Sequence, residues 1–144
     1  MSADFLERIE LIEECYEFML AYAAQGLPDD GGSQAGGQLR GFLARCIEAL
    51  GGLTESFSAV VSRTGWEPAE KYLAFLAVLD RDARDSAAAL ELVLAQPSIG
   101  SQLIDNLNAS IHLRALLTDL FLLGEILRKR AIPAKANSSL AEVP

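Results

Sequence analysis

Nearly every segment of the chain repeats its apolar residues at intervals of three and four, and none alternates apolar with polar residues over a strand's length. Spacings of three and four stack side chains on one face of an α-helix, whereas a half-buried strand needs a period of two. The clearest run is Leu39, Leu43, Cys46, Leu50, Leu53, Phe57 and Val60, a strict alternation of four and three. That is the pattern of a helix–helix seam. β-branched residues are few, so strand signals are absent. The pattern predicts an all-α fold, and 144 residues suit one domain of it.

Four long helices are predicted, over about 4–25, 38–63, 67–96 and 99–131. In the first, Phe5, Ile9, Ile12, Tyr16, Met19 and Ala23 share a face, Asp4 and Glu7 have capping-box spacing, and Gly26 with Pro28 ends the helix. The second carries the seam, with Gly51-Gly52 marking a bend or a close helix approach. The third starts at Glu67-Pro68, keeps Tyr72, Leu76, Leu79, Ala83, Leu90 and Val93 in step, and stops at Pro97. Its charged stretch Asp80–Asp85 is either an exposed part of one helix or a kink. The fourth is capped by Ser98 or Ser101 and ended by Pro133. The Gly- and Pro-rich residues 26–37 read as a mobile connector. Residues 1–133 form the domain, and 134–144 read as a flexible tail. Long helices with short connections imply an antiparallel, up-down-up-down four-helix bundle.

Two helices carry more apolar surface than one buried face can use. Leu116, Leu120, Leu123 and Leu127 cover one side of the last helix, Leu117 and Phe121 flank it, and Leu122 and Ile126 point elsewhere. In the third helix Leu73, Phe75 and Val78 lie beside the main seam. A helix that is apolar most of the way round must be buried most of the way round. Those seven residues are therefore expected to build a self-association face, and the protein to be a homodimer.

Charge points elsewhere. The net charge is −8, and residues 1–30 hold eight acids against Arg8 alone. Glu7, Glu10, Glu14 and Glu17 form an acidic stripe on the first helix. It reads as a solvated face, as a partner for Arg128, Lys129 and Arg130 of the last helix, or as a docking surface for a basic protein. Acids outnumber bases 20 to 12, which disfavours nucleic-acid binding. The most apolar stretch, Ala115–Leu127, is too short and too charged for a membrane span. The first seven residues lack the basic start and apolar run of a secretory leader. Cys15 and Cys46 read as buried free thiols of a cytoplasmic protein.

Chemistry-bearing motifs are scarce. His112 is the only histidine, so neither a His-rich metal site nor a di-iron pair can be built. Asn108, one turn earlier, is placed to fix its tautomer, but the glycine expected near a phosphotransfer histidine is missing. Neither cysteine has a local histidine and no serine stands in a Gly-rich elbow. Gly36, Gly37 and Gly41 near Arg40 follow no strand and make no phosphate loop. Trp66 reads as a packing anchor at a helix corner.

Glu13-Glu14-Cys15-Tyr16-Glu17 has an E-E-x-x-E spacing that resembles the first half of the magnesium site in all-α nucleoside-triphosphate pyrophosphohydrolases of the MazG type. The resemblance implies Glu13, Glu14 and Glu17 as metal ligands, since magnesium prefers carboxylate oxygens with substrate phosphates. It covers five residues, and the later acidic pair has only Asp82 and Asp85 as candidates. The leading expectation is a non-catalytic, cofactor-free protein that acts through self-association and protein contact. Magnesium-dependent nucleotide hydrolysis and binding of a small apolar ligand between helices are the alternatives.

Overall fold

Residues 2–142 are described by a computed structural model, with side chains for 4–130. The fold is all-α: α1 Ser2–Ala24, α2 Gln34–Gly51, α3 Leu53–Thr64, α4 Ala69–Leu94, α5 Ser101–Ala109 and α6 Ile111–Glu142. The apolar periodicity maps directly onto the core. All seven seam residues, Leu39 through Val60, are buried. So are Phe5, Ile9, Ile12, Cys15, Met19 and Tyr22 of α1, Leu79, Ala83, Leu90 and Val93 of α4, and Leu113, Leu116, Leu120, Leu123 and Leu127 of α6.

Two predicted helices are each divided. The second breaks at Gly52 into α2 and α3. A Cβ on Gly52 would lie 2.7 Å from the Arg8 guanidinium. Arg8 donates from Nη1 to Ala49 O at 3.1 Å, satisfying a carbonyl at the end of α2. The seam survives because the break adds no residue to its register. The fourth helix breaks at Ser110, whose backbone is extended. The Ser110 hydroxyl accepts from Leu113 N and so begins α6.

Other boundaries move for local reasons. α2 starts at Gln34 rather than near 38, because Ser33 is an N-cap whose Oγ accepts from Gly36 N. Asp4 lies inside α1 rather than capping it, and its carboxylate takes Ser56 Oγ at 2.5 Å and Arg8 Nε at 3.1 Å. α4 runs unbroken through Asp80–Asp85, supported there by the Arg84–Asp80 pair at 2.9 Å. α6 passes Pro133 and continues to Glu142. The tail, residues 134–144, falls outside the described side chains.

Residues 26–33 are tied down rather than loose. Ser101 N donates to Leu27 O at 2.8 Å, Leu27 N to Ser101 Oγ at 2.8 Å, and Ser101 Oγ to Tyr22 O at 2.6 Å. The Tyr22 hydroxyl donates to Ile99 O at 2.7 Å. Asp30 accepts from Ile99 N and from Arg40 Nε, at 2.9 and 2.7 Å. Arg40 also donates to Leu94 O and Gln96 O, closing the end of α4. Gly100 admits this approach, since a Cβ there would sit 2.6 Å from Pro28 O.

Further polar contacts join the helices. Cys15 Sγ donates to Phe42 O at 3.2 Å between α1 and α2, and Asn108 Nδ2 to Met19 O at 3.1 Å between α5 and α1. Ser86 Oγ donates to His112 O at 2.9 Å between α4 and α6. α4 and α6 thus meet along a long seam, which carries the candidate site.

Candidate functional site

Helical spacing places Tyr72 and Phe75 along one side of α4, just after its N-cap Pro68, and Leu122 and Ile126 along the facing side of α6. With Lys71 and Leu123 they line a groove of about 290 Å³. One end is closed by aromatic packing. Trp66 and Tyr72 stand 5.9 Å apart between ring centroids, and the Arg130 guanidinium lies 5.1 and 5.6 Å from the two rings. Trp66 is therefore the corner anchor that its place in the sequence implies.

Beyond the groove's other end the two helices carry two acids. Asp119 lies three residues before Leu122, and Asp82 lies seven after Phe75. Asp119 is only 5% exposed, and its Oδ2 has no hydrogen-bond partner. Burial, then the hydrogen bond and the charge of Asp82, push its carboxyl up to about 8.

The seven residues predicted for self-association divide into three groups. Phe75, Leu122 and Ile126 come together in the groove. Leu73, Val78 and Phe121 are exposed but do not line it, Leu73 at 51% and Phe121 at 56%. Leu117 is a correction: it is 5% exposed and belongs to the core, because α6 turns a wider face inward than one leucine stripe. Lys71 was not singled out by the sequence, and Pro68 and Tyr72 were read there only as the start and the inner face of the third helix.

Glu7, Glu10, Glu14 and Glu17 are all exposed on α1. The neighbouring basic residues go elsewhere: Lys129 approaches Glu125 at 4.0 Å, and Arg130 covers Trp66. Glu13 is half-buried. Among the described residues no group of three or more His, Cys, Asp or Glu is placed to hold a metal ion. Glu13, Glu14 and Glu17 are thus not gathered with Asp82 or Asp85. His112 is exposed, and the Asn108 amide is spent on Met19 rather than on the imidazole.

Cys15 and Cys46 are free and buried. Interaction with Cys15, and then burial, push the Cys46 thiol far above the usual range. No helix is long and apolar enough to cross a membrane among the described residues. The comparisons add no relative. No family model, curated protein or solved structure matches the chain. The functional reading therefore rests on the surface of α4 and α6 and on charge.

Proposed function

We propose that this chain is a non-catalytic helical-bundle protein that acts through self-association and contact with other proteins, as an adaptor, assembly factor or regulator. In this reading the six helices work as four antiparallel rods: α1, α2 with α3, α4, and α5 with α6. The paired contacts Arg8–Ala49 and Cys15–Phe42, and Tyr72–Ile126 facing across the groove, support that order.

One observation carries the proposal. Large apolar side chains of α4 and α6 stay exposed around an apolar groove, where none of the described residues covers them. Contiguous exposed apolar surface marks an interaction site more often than scattered leucines do. A twofold axis beside the groove would set the same patch against itself, as an isologous dimer requires. The exposed Glu7, Glu10, Glu14 and Glu17 then remain free for a partner with a basic surface. Two free thiols fit a reducing compartment such as the cytoplasm.

Sedimentation of paired variants tests this reading. Leu122→Asp and Ile126→Asp should yield a single-chain species at concentrations where the parent chain is dimeric. Leu92→Asp, at an exposed apolar position outside the groove, should leave the dimer intact. Equal behaviour of all three variants would overturn the assignment of the face.

A further inference from the structure

The α4–α6 groove has apolar walls but not apolar ends. Of the residues that line it, Lys71 alone is charged. Lys71 is exposed, so its stem can lie on the apolar wall while its ammonium reaches water at the rim. Arg130 stands at the same end, its guanidinium 5.1 and 5.6 Å from the Trp66 and Tyr72 rings. α4 begins there too, after its N-cap Pro68, and so turns the positive end of its dipole to that side. The far end, past Phe75 and Leu122, carries the acids Asp82 and Asp119.

Nothing among the described residues neutralises the two cations. The ion pairs there are Asp4–Arg8, Asp30–Arg40, Asp80–Arg84 and Glu125–Lys129, and none takes Lys71 or Arg130. The acids nearest them in sequence serve elsewhere. Glu67 Oε1 accepts from Ala69 N at 3.4 Å, Glu125 pairs with Lys129, and Glu70 does not line the groove. The groove follows α4 from Pro68 to Phe75, about 10 Å of helix. Its volume of about 290 Å³ lies at the low end of small-molecule sites, which run from roughly 300 to 1,000 Å³. That suits one slender chain and is small for a two-tailed lipid.

We propose that the groove binds a single-chain fatty carboxylate, its head group at Lys71 and Arg130 and its tail along Phe75, Leu122 and Ile126. The walls take the tail out of water, and the head group supplies the charge-assisted partner that the two cations lack. The acids at the far end fix the direction, since a carboxylate placed there would meet like charge. The inference does not rest on the dimer. Leu73, Val78 and Phe121 stand outside the groove and remain for contact between copies while the groove is filled.

Calorimetric titration of the full chain with sodium decanoate, kept below its micelle concentration, tests this. Decanoate should bind saturably, and Trp66, the one tryptophan of the chain, should report it by a change in emission. Lys71→Ala should weaken binding about two- to fivefold and Lys71→Glu about tenfold, while Lys71→Arg should restore it. Decyltrimethylammonium, with the same tail and the opposite charge, should leave Trp66 unchanged where decanoate saturates it. An equal response to both probes, or an unmoved affinity in Lys71→Glu, would overturn the proposal. So would the absence of saturable heat at millimolar decanoate, and so would binding to anionic phospholipid vesicles with none to free decanoate. Light scattering of the same samples keeps the two readings apart. A one-chain mass with decanoate bound supports the ligand and counts against the dimer, and a two-chain mass without binding does the reverse.

Discussion

Two arginines show how single residues set this fold. Arg8 and Arg40 each place a guanidinium on carbonyls at the end of another helix, Ala49 O for α2 and Leu94 O with Gln96 O for α4. A charged donor on such carbonyls satisfies groups that the helix itself cannot. Arg40→Met should therefore cost about 2–3 kcal/mol, measured by denaturant unfolding, since it strands two carbonyls and Asp30 together. A loss below about 0.5 kcal/mol would show that solvent serves those groups equally well. Asp30 gives the matching pH effect. The Arg40 hydrogen bond, and then that of Ile99 N, hold its carboxyl below the usual value of 3.8. Its contribution is present above that value and is lost as pH falls through the acid range. Asp30→Asn should accordingly flatten the fall in Tm on acidification. None of this was legible in the sequence, where Arg40 stood near glycines as a false phosphate loop. Its partners are 54 and 56 residues away, beyond any local pattern. Asp119 did leave a trace, as an acid set inside the leucine-rich stretch of α6. Its spacing alone did not show which neighbour it meets.

Helix identity was legible and helix ends were not. The seam from Leu39 to Val60 named every buried position of α2 and α3 that it claimed, because burial follows the 3.6-residue period whether or not the helix is continuous. The interruption at Gly52 depends on Arg8, a residue of another helix, so the glycine pair alone left bend and close approach equally open. Ser33 and Ser110 were visible as residue types, but a cap is defined by backbone direction rather than by composition. The glycines separate these causes experimentally. Gly41→Ala, with open space around it inside α2, should stabilise by about 0.5–1 kcal/mol through backbone entropy. Gly52→Ala should destabilise by about 1 kcal/mol, because Arg8 must swing away and give up Ala49 O. Gly100→Ala should cost more than Gly52→Ala, since its Cβ meets the Pro28 backbone, which cannot swing aside. Thermal denaturation of the three variants checks the order. If Gly41→Ala and Gly100→Ala behaved alike, close packing of residues 27–30 on Gly100 would not be what restrains that loop.

For the whole molecule, the all-α class followed from the sequence because apolar period is a property of every segment at once. The surplus of apolar surface on the last two long helices was also visible there. Six of the seven residues named for it are outside the buried core, with Leu117 the exception. Their assembly into a groove was not visible, because it depends on the facing of α4 and α6 across some fifty residues of chain. The acidic stripe remains on the outside of α1, so charge and apolar contact occupy different helices. In the proposed function, that separation gives one face to a second copy and another to a different partner. In the proposed dimer a second copy of the chain covers the groove between α4 and α6. Light scattering of the purified protein at micromolar concentration measures this most directly. The expected mass is that of two chains, twice 15.5 kDa, and a mass of one chain throughout that range would contradict the dimer.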